Sequence, residues 1–260
     1  MESLSLKPGE QLDNLLNGRQ IIQDPKRFMF GIDAVLLSSF AVPYIRANDN
    51  IIDLGTGTGI IPLLLETRTL AKSFTALEVQ HDSFDMANRS VEINNLTSKI
   101  NVVEGDIKNV SSLFPKHSFT CVTTNPPYMI NNHGRKNCND AKTIARHEIL
   151  CNLEDIISAV DYLLAPFGKF FMIHRPFRLA EIINTMKNHK IEVKRLQLIQ
   201  PMDGKEANIV LIEGRKNAQE RVKIEPTLNV YKSKGVYSDE VQSIYNQIAD
   251  PPFTPQESKS

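Results

Sequence analysis

The stretch IIDLGTGTG, residues 51–59, joins an apolar run to an acidic residue and three glycines at alternate positions. The run Ile51–Leu54 has the composition of a buried strand, and helical spacing of apolar residues begins at Ile60. Glycine permits a tight turn and lets a ligand approach the backbone, while the N–H groups of the following helix point toward that turn. The stretch predicts a strand, a ligand-binding loop and a helix of an α/β fold.

The glycine spacing limits which ligand fits. A dinucleotide fingerprint would have its third glycine where Ile60 stands, and no Gly-Lys-Ser/Thr follows to make a P-loop. A structural turn in some other α/β protein is the alternative, and Asp53, two positions before Gly55, argues against it. A polar ligand other than a nicotinamide dinucleotide or a nucleoside triphosphate is therefore expected at the loop.

Strand-like and helix-like segments alternate along most of the chain. Predicted strands cover 51–54, 73–78, 100–104, 119–123, 168–174, 192–199 and 208–213. Predicted helices cover 60–70, 82–95, 153–164 and 177–189. This order predicts an α/β, Rossmann-like fold: a seven-stranded, mostly parallel sheet with helices on both faces and an antiparallel hairpin at its edge.

Composition excludes several classes of protein. The chain has 260 residues, 41% hydrophobic content, and 30 basic against 30 acidic residues, so one large core is expected and any basic surface must be local. Three cysteines without CxxC spacing predict neither a disulfide framework nor a metal site. With no run of 18 apolar residues and no signal peptide, we expect no membrane association and a cytoplasmic location.

Acidic residues follow or end the first three predicted strands. Asp53, Glu78 and Asp106 would meet at the carboxyl edge of the sheet, and Glu78 stands where doubly wound folds place a carboxylate on a ribose diol. Taken alone, Glu78 could equally be a solvated strand end. Three carboxylates disfavour a phosphate-rich ligand and suit a nucleoside that carries a cationic centre.

The fourth predicted strand ends in the motif Asn125-Pro126-Pro127-Tyr128. Asn and Pro are common turn residues, so an ordinary tight turn is one reading. The other is a rigid acceptor site, because proline fixes φ, removes donors and keeps nearby carbonyl oxygens aimed outward.

Together these motifs resemble the class I S-adenosylmethionine-dependent methyltransferases whose Asn-Pro-Pro-Tyr motif methylates a nitrogen conjugated to a planar system. The resemblance implies the class I methyltransferase fold and S-adenosyl-L-methionine as cofactor. It implies a catalytic set of Asn125, Pro126, Pro127 and Tyr128. It implies a cofactor-binding set of Asp53, Gly55, Gly57, Gly59, Glu78, Asp106, Phe30 and Gly31. For Phe30, packing in the core is an equally weighted alternative.

The motif leaves the acceptor open among adenine N6, cytosine N4, guanine N2 and a glutamine side chain of release factors. The glutamine enzymes carry a helical substrate domain before the glycine loop, and about fifty preceding residues are too few for one. Flanking stretches are similar to the bacterial tRNA1(Val) adenine-37 N6-methyltransferases: residues 27–37, 145–148, 153–156, 174–176, 205–208 and 211–214. This implies a tRNA substrate and an N6-adenine methyltransferase.

Three domain-level expectations follow. Residues 1–48 would pack over the cofactor site, 49–215 would form the methyltransferase core, and the polar, proline-containing 216–260 would be a C-terminal extension ending in a loosely ordered tail.

Basic residues near the motif are candidates for substrate binding. They are Arg135, Lys136, Arg146, His147 and Arg175. Charged residues on helix surfaces are routine, and a lone histidine on a helix is more often structural. A binding module with a vestigial cofactor fold is the non-enzymatic alternative.

Overall fold

A computed structural model of the chain describes residues 6–26, 29–126 and 151–250. Within these ranges, strands β1 to β13 are Gln11–Asn14, Gln20–Gln23, Asn50–Leu54, Ser73–Glu78, Ile100–Glu104, Phe119–Thr124, Leu164–His174, Ile191–Gln200, Ile209–Lys216, Lys223–Ile224, Leu228–Asn229, Tyr231–Ser233 and Val236–Tyr237. Helices α1 to α7 are Ile32–Ala41, Ile60–Glu66, His81–Ile93, Val110–Leu113, Leu153–Leu163, Leu179–Asn188 and Asp239–Ala249. Short 3-10 helices cover Val42–Tyr44, Ile107–Asn109 and Pro176–Arg178.

The main sheet has the order β10-β8-β9-β7-β6-β3-β4-β5, and β11 also pairs with β8. Strands β3 to β7 are parallel, whereas β9 runs antiparallel to both β7 and β8. The described sheet thus has nine strands, and the predicted count of seven is wrong. The two additional strands have two residues each and pair with the outer side of β8, and so short a segment has no periodicity to detect.

The seven predicted strands and four predicted helices are all present. Strands β4 and β5 have the predicted bounds, and the other elements differ by a few residues at their ends. The mostly parallel sheet and the antiparallel hairpin of β8 and β9 are confirmed.

Alternating side chains of the strands supply two hydrophobic cores. Neighbouring strand residues point to opposite faces, so Ile51 and Phe171 belong to one cluster while Ile52 and Phe170 belong to the other. Helices α1, α2, α3 and α7 contribute to the first cluster, and α4, α5 and α6 contribute to the second. Helices therefore cover both faces, as the βαβ order requires.

The direction of strand addition reverses between β3 and β6. From β3 the chain adds β4 and then β5 on one side, and it returns to place β6 on the other side of β3. In open α/β sheets, ligands bind outside the carboxyl ends of the strands at such a reversal. Both Asp53 in β3 and Asn125 directly after β6 lie at this crevice.

The N-terminal hairpin of β1 and β2 packs against α3. The backbone N–H of Ile22 donates to Ser90 Oγ at 2.9 Å, and that of Gln20 donates to Asn94 Oδ1 at 2.9 Å. These contacts fix the N-terminal segment on the helix that follows β4. Whether the segment covers a bound cofactor stays a prediction.

The C-terminal extension is folded as far as Asp250 and is not a loose tail over that range. Ser238 caps α7 by accepting a hydrogen bond from the backbone N–H of Val241 at 3.2 Å. Val241 and Ile248, seven residues apart on one side of α7, are buried in the first cluster. Residues 251–260 lie outside the described ranges.

Because Ile248 is buried in that cluster, Ile248→Ala should lower the free energy of unfolding by roughly 2–5 kcal/mol. Urea denaturation followed by circular dichroism measures this difference. The exposed Gln242 on the same helix is the matched control, and Gln242→Ala should change stability by less than about 0.5 kcal/mol. Equal small effects for both variants would show that α7 is not part of the cooperative core.

Candidate active site

The glycine loop between β3 and α2 is tied to the end of β4. The N–H groups of Gly55 and Thr56 both donate to the carbonyl oxygen of Leu77, at 2.9 and 3.0 Å. Gly55, Gly57 and Gly59 have φ values of 68°, 58° and 85°, in the left-handed region that favours glycine. The three alternate glycines in the sequence are thus explained by the conformation of the loop.

Two of the glycines also differ in what surrounds them. A Cβ at Gly59 would meet Ala87 Cβ at 3.4 Å, so this glycine brings the loop close to α3. A Cβ at Gly57 would meet no atom within 4 Å among the described residues. The space above Gly57 is therefore open to a ligand.

Asp53 is the buried acid beneath this loop. Asp53 is only 1% exposed, and its Oδ1 accepts a hydrogen bond from the Thr123 hydroxyl at 2.6 Å. Burial, together with the nearby charge of Glu78, raises the pKa of Asp53 from 3.8 to about 7 although the hydroxyls of Thr123 and Thr56 act in the opposite direction. A cation next to this carboxyl would favour its ionised form and lower that pKa.

Three buried oxygens at the loop have no hydrogen-bond partner of normal geometry within the described part of the chain: Asp53 Oδ2, Thr56 Oγ1 and Thr58 Oγ1. The first two belong to residues close enough for the Thr56 hydroxyl to lower the pKa of Asp53. Buried polar atoms are rarely left without a partner, because each one costs free energy. A polar ligand at the loop would satisfy them. The residues present therefore fit a bound cofactor with hydrogen-bonding groups and a positive charge.

Glu78 lies beside the loop and holds it. Its Oε2 accepts from the Gly57 N–H at 2.9 Å, and its Oε1 accepts from the Gln80 N–H at 2.9 Å. The carboxylate is buried and links the loop to the start of α3. Oε1 also accepts a longer hydrogen bond from Gln80 Nε2 at 3.4 Å, and Oε2 can accept a second one, so these contacts are compatible with the predicted role on a ribose diol.

Asp106 follows β5 at the same edge of the sheet. The N–H of Gly105 donates to the carbonyl oxygen of Glu78 at 2.9 Å, which joins the ends of β5 and β4. Asp106 Oδ1 caps the following 3-10 helix by accepting from the Lys108 N–H at 2.9 Å. The structure thus brings Asp53, Glu78 and Asp106 to one edge, as predicted.

Asn125 lies at the end of the neighbouring strand β6. Register pairs Thr124 with Leu54, and Thr124 Oγ1–H donates to the Leu54 carbonyl oxygen at 2.8 Å, so Asn125 follows at the level of Gly55. Asn125 is half-buried and Pro126 is buried. The other predicted residues on this segment lie outside the described ranges: Pro127, Tyr128, Arg135, Lys136, Arg146 and His147.

Phe30 and Gly31 lie where α1 begins. The N–H of Phe30 donates to Gln23 Oε1 at 2.9 Å, and its partly buried side chain packs against the first hydrophobic cluster. Gly31 is the exposed residue that precedes the helix. These contacts support the packing role of Phe30, and a cofactor contact for either residue stays a prediction.

Arg175 follows β7, next to β6, and its Nη1 donates to the Asn208 carbonyl oxygen at 2.8 Å. The preceding His174 is buried, which lowers its pKa to about 4, and its Nδ1 accepts from the Arg175 N–H at 2.7 Å. This histidine is neutral at physiological pH. Arg175 thus lies at the edge of the site, and its contact with a substrate stays a prediction.

Sequence reasoning missed the threonines that surround Asp53. Thr123 orients the carboxyl group, while Thr56 and Thr58 present hydroxyl groups between the glycines. A signal was available, because all three are short hydroxyl residues next to the recognised motifs.

A family model for the methyltransferase small domain matches residues 32–181, more than half of the chain. The chain belongs to the methyltransferase small domain family. The match includes the glycine loop, the three acidic strand ends and the Asn-Pro-Pro-Tyr motif.

Curated relatives of this family member extend the similarity to most of the chain. A tRNA1(Val) (adenine(37)-N6)-methyltransferase of Porphyromonas gingivalis is 27% identical over 231 residues, which cover 86% of this chain and 88% of that protein. A protein of the same name from Dyadobacter fermentans is 27% identical over 210 residues, covering 80% of this chain and 84% of that protein.

Solved structures agree with the fold of the family. A predicted O-methyltransferase of Agrobacterium tumefaciens has a TM-score of 0.66 at 25% identity, covering 84% of this chain and 97% of that chain. A geranyl diphosphate methyltransferase in complex with S-adenosylmethionine has a TM-score of 0.53 at 10% identity, covering 70% and 85%, and shows the fold alone. The methyltransferase fold is confirmed, and the family supports S-adenosylmethionine as the cofactor.

Two features are absent from the described residues. No described helix is both long and apolar enough to cross a bilayer. Within the same ranges, no three His, Cys, Asp or Glu side chains group as a metal ion would require.

Proposed function

We propose that the chain is an S-adenosylmethionine-dependent methyltransferase that modifies N6 of an adenine in tRNA. The observation that carries this proposal is that Asn125, directly after β6, lies at the level of Gly55, where the glycine loop above Asp53 begins on the neighbouring strand β3. This adjacency puts a cofactor loop with unsatisfied polar groups next to the start of an acceptor motif. The printed names of the curated relatives support adenine 37 of tRNA1(Val) as the target.

The proposed cofactor residues act through charge and shape. When bound, S-adenosylmethionine supplies an electrophilic methyl group on a sulfonium centre. Asp53 and the loop of Gly55, Gly57 and Gly59 would hold the methionine end, where the buried carboxyl is ionised by a neighbouring cation. Glu78 would accept from the ribose hydroxyls and Asp106 from the adenine amino group of the cofactor. The hydroxyls of Thr56 and Thr58 would gain their missing partners.

The acceptor residues would make a weak nucleophile reactive. The lone pair of the amino nitrogen of adenine is delocalised into the ring while the amino group is planar. It becomes available for attack when acceptors hold the two amino hydrogens out of the plane of the ring. Asn125 Oδ1 and the Pro126 carbonyl oxygen would accept those hydrogens, on a turn that proline stiffens. Tyr128 would stack on the flipped base.

In the proposed transfer, the cofactor would supply its methyl group to the adenine nitrogen and would keep the electron pair of the broken S–C bond on sulfur, while Asn125 and Pro126 hold that nitrogen in place. The nitrogen then loses one proton to water, so this chain needs no strongly basic side chain. Positioning and hydrogen bonding supply the rate enhancement.

Radiolabelled S-adenosylmethionine incubated separately with bacterial tRNA, ribosomal RNA and release factor tests this function. Label in tRNA, recovered as N6-methyladenosine by nucleoside mass spectrometry, is the expected result. Label only in protein or in another base would overturn the adenine proposal. The absence of cofactor binding by calorimetry would favour the vestigial binding module instead.

The proposal also includes the predicted location and the predicted domain boundaries. A tRNA-modifying enzyme would work in the cytoplasm, and residues 1–48 would border the cofactor while 49–215 carry the chemistry. The folding of 216–250 against the first hydrophobic cluster supports treating this extension as part of the same unit.

A further inference from the structure

The side chain of Phe177 is exposed at a position that the proposed mechanism does not use. It lies on the 3-10 turn Pro176–Arg178, directly after β7, and is 66% exposed. Single exposed apolar residues are common and need no explanation on their own. The surroundings of Phe177 distinguish it from an ordinary exposed residue.

The first distinguishing feature is its place at the active-site edge. Strands β6 and β7 are parallel and pair Thr124 with Met172, so β7 extends two residues beyond the end of β6. Both chain segments leave the sheet at the same carboxyl edge, one strand apart. Phe177 therefore follows β7 at the same edge of the sheet as Asn125, which follows the neighbouring strand β6.

The second feature is a pair of arginines on the same turn. Arg175 Nη1 donates to the Asn208 carbonyl oxygen at 2.8 Å, and Arg178 donates to Glu181 at 2.8 and 2.6 Å. The two arginines stand two positions before and one position after Phe177 in the chain, and these contacts hold their guanidinium groups in place. Arginine next to an exposed aromatic ring is the combination that proteins use to hold phosphates and stack a base.

The third feature is the rigidity of the turn. The Arg178 N–H donates to the Arg175 carbonyl oxygen at 3.2 Å, Pro176 fixes its own φ, and the Arg175 N–H is held by buried His174. A backbone turn that is fixed before binding loses little freedom when a base stacks on a side chain that it carries. The rigid backbone of the turn therefore holds Phe177 at the carboxyl edge of the sheet.

We propose that Phe177 stacks on an unpaired nucleotide next to the target adenine, with Arg175 and Arg178 contacting the neighbouring phosphates. This inference rests on the proposed function and adds a base-stacking subsite to it. Stacking on a phenyl ring selects single-stranded RNA over paired RNA, because only unpaired bases offer a free face. A flipped adenine in an unpaired loop has such a neighbour.

The chain provides a matched control in Phe167. It is 67% exposed and lies near the start of β7, at the amino end of the strand that Phe177 follows. Phe177→Ala should raise the KM for tRNA about tenfold, about 1.4 kcal/mol, and change kcat by less than about twofold. Phe177→Tyr keeps an aromatic ring and should therefore have the wild-type KM. Phe167→Ala should leave both KM and kcat unchanged.

A second measurement uses the absence of tryptophan from the sequence. Phe177→Trp and Phe167→Trp each give a protein with one indole, whose fluorescence is quenched when a base stacks on it. Added tRNA should quench the Trp at position 177 in a saturable way and leave the Trp at position 167 unchanged. This readout decides the question even if the alanine variant folds poorly.

The outcomes separate the inference from the function beneath it. An active wild type together with an unchanged KM for Phe177→Ala, and no quenching at position 177, overturns the stacking subsite alone. Equal effects at both phenylalanines overturn it too. A wild type that transfers no label to tRNA overturns the proposed function and the subsite with it.

Discussion

Replacing Asn125 by alanine is expected to lower kcat for tRNA methylation at least about a hundredfold while leaving the affinity for S-adenosylmethionine nearly unchanged. The side chain follows β6 directly and is half-buried at the level of Gly55, across the switch point from Asp53. Alanine removes the amide oxygen that would accept an amino hydrogen of the base. The loss should fall on the transfer step, because this contact matters most when the nitrogen attacks.

Single-turnover kinetics with labelled cofactor measures the chemical step, and calorimetry measures cofactor binding. Asn101→Ala is the matched control, since Asn101 is an exposed asparagine on β5 and should keep wild-type values for both. A large loss of cofactor affinity in Asn125→Ala would contradict the assignment and place this side chain in the cofactor site.

Much of the central sheet could be predicted because its strands have both a composition and a context that are visible in sequence. Ile51–Leu54 is apolar except for Asp53 and is closed by glycines, 73–78 stands between two helical patterns, and 100–104 follows the second of them. Parallel strands buried on both faces need continuous apolar residues, so their bounds are marked in the chain itself.

The parts that could not be predicted depend on tertiary contacts. Strands β10 and β11 have two residues each and exist because β8 offers them an edge. Helix α7 is polar around most of its circumference and is anchored mainly by Val241 and Ile248, so its sequence looks like that of a solvated extension. The prolines on either side of this helix also favour a loosely ordered tail, although proline is compatible with the segments that flank a helix.

The candidate site likewise has a part that the sequence predicts and a part that depends on tertiary contacts. Positions of the acidic strand ends followed from chain order, since parallel strands end at one edge of the sheet. The burial of Asp53 and its hydrogen bond from Thr123 did not follow, because they require the neighbouring strand β6 in register. The resulting change in acidity is a property of the assembled fold.

That change gives the second large prediction, for Asp53→Asn. Burial raises the pKa of Asp53 to about 7, so the folded protein without ligand holds the carboxyl mostly neutral below pH 7. Asparagine is a near-isostere of that neutral form: its Oδ1 can still accept from Thr123, and its amide occupies the place of Oδ2. The variant should therefore fold well and yet lose on the order of a hundredfold in affinity for the cationic cofactor.

The pH dependence follows from the sign of the shift. A raised pKa in the folded state means that the contribution of Asp53 to stability is present below about pH 4 and is lost as pH rises through about 7. At pH 8 the Asp53→Asn variant should therefore melt several degrees above the ligand-free wild type, and the difference should shrink toward pH 4. Differential scanning calorimetry at these two pH values measures it.

Cofactor binding should follow pH in the opposite direction. A cation requires the ionised carboxyl, so wild-type affinity for S-adenosylmethionine should rise about tenfold from pH 6 to pH 8, whereas the Asp53→Asn variant should lack this component. Subtracting the pH profile of the variant from that of the wild type removes the titration of the cofactor's own amino group, whose pKa lies in the same range. Parallel pH profiles for the two proteins would mean that Asp53 is already ionised before the cofactor binds. In that case its buried charge must be stabilised by a group other than the ligand.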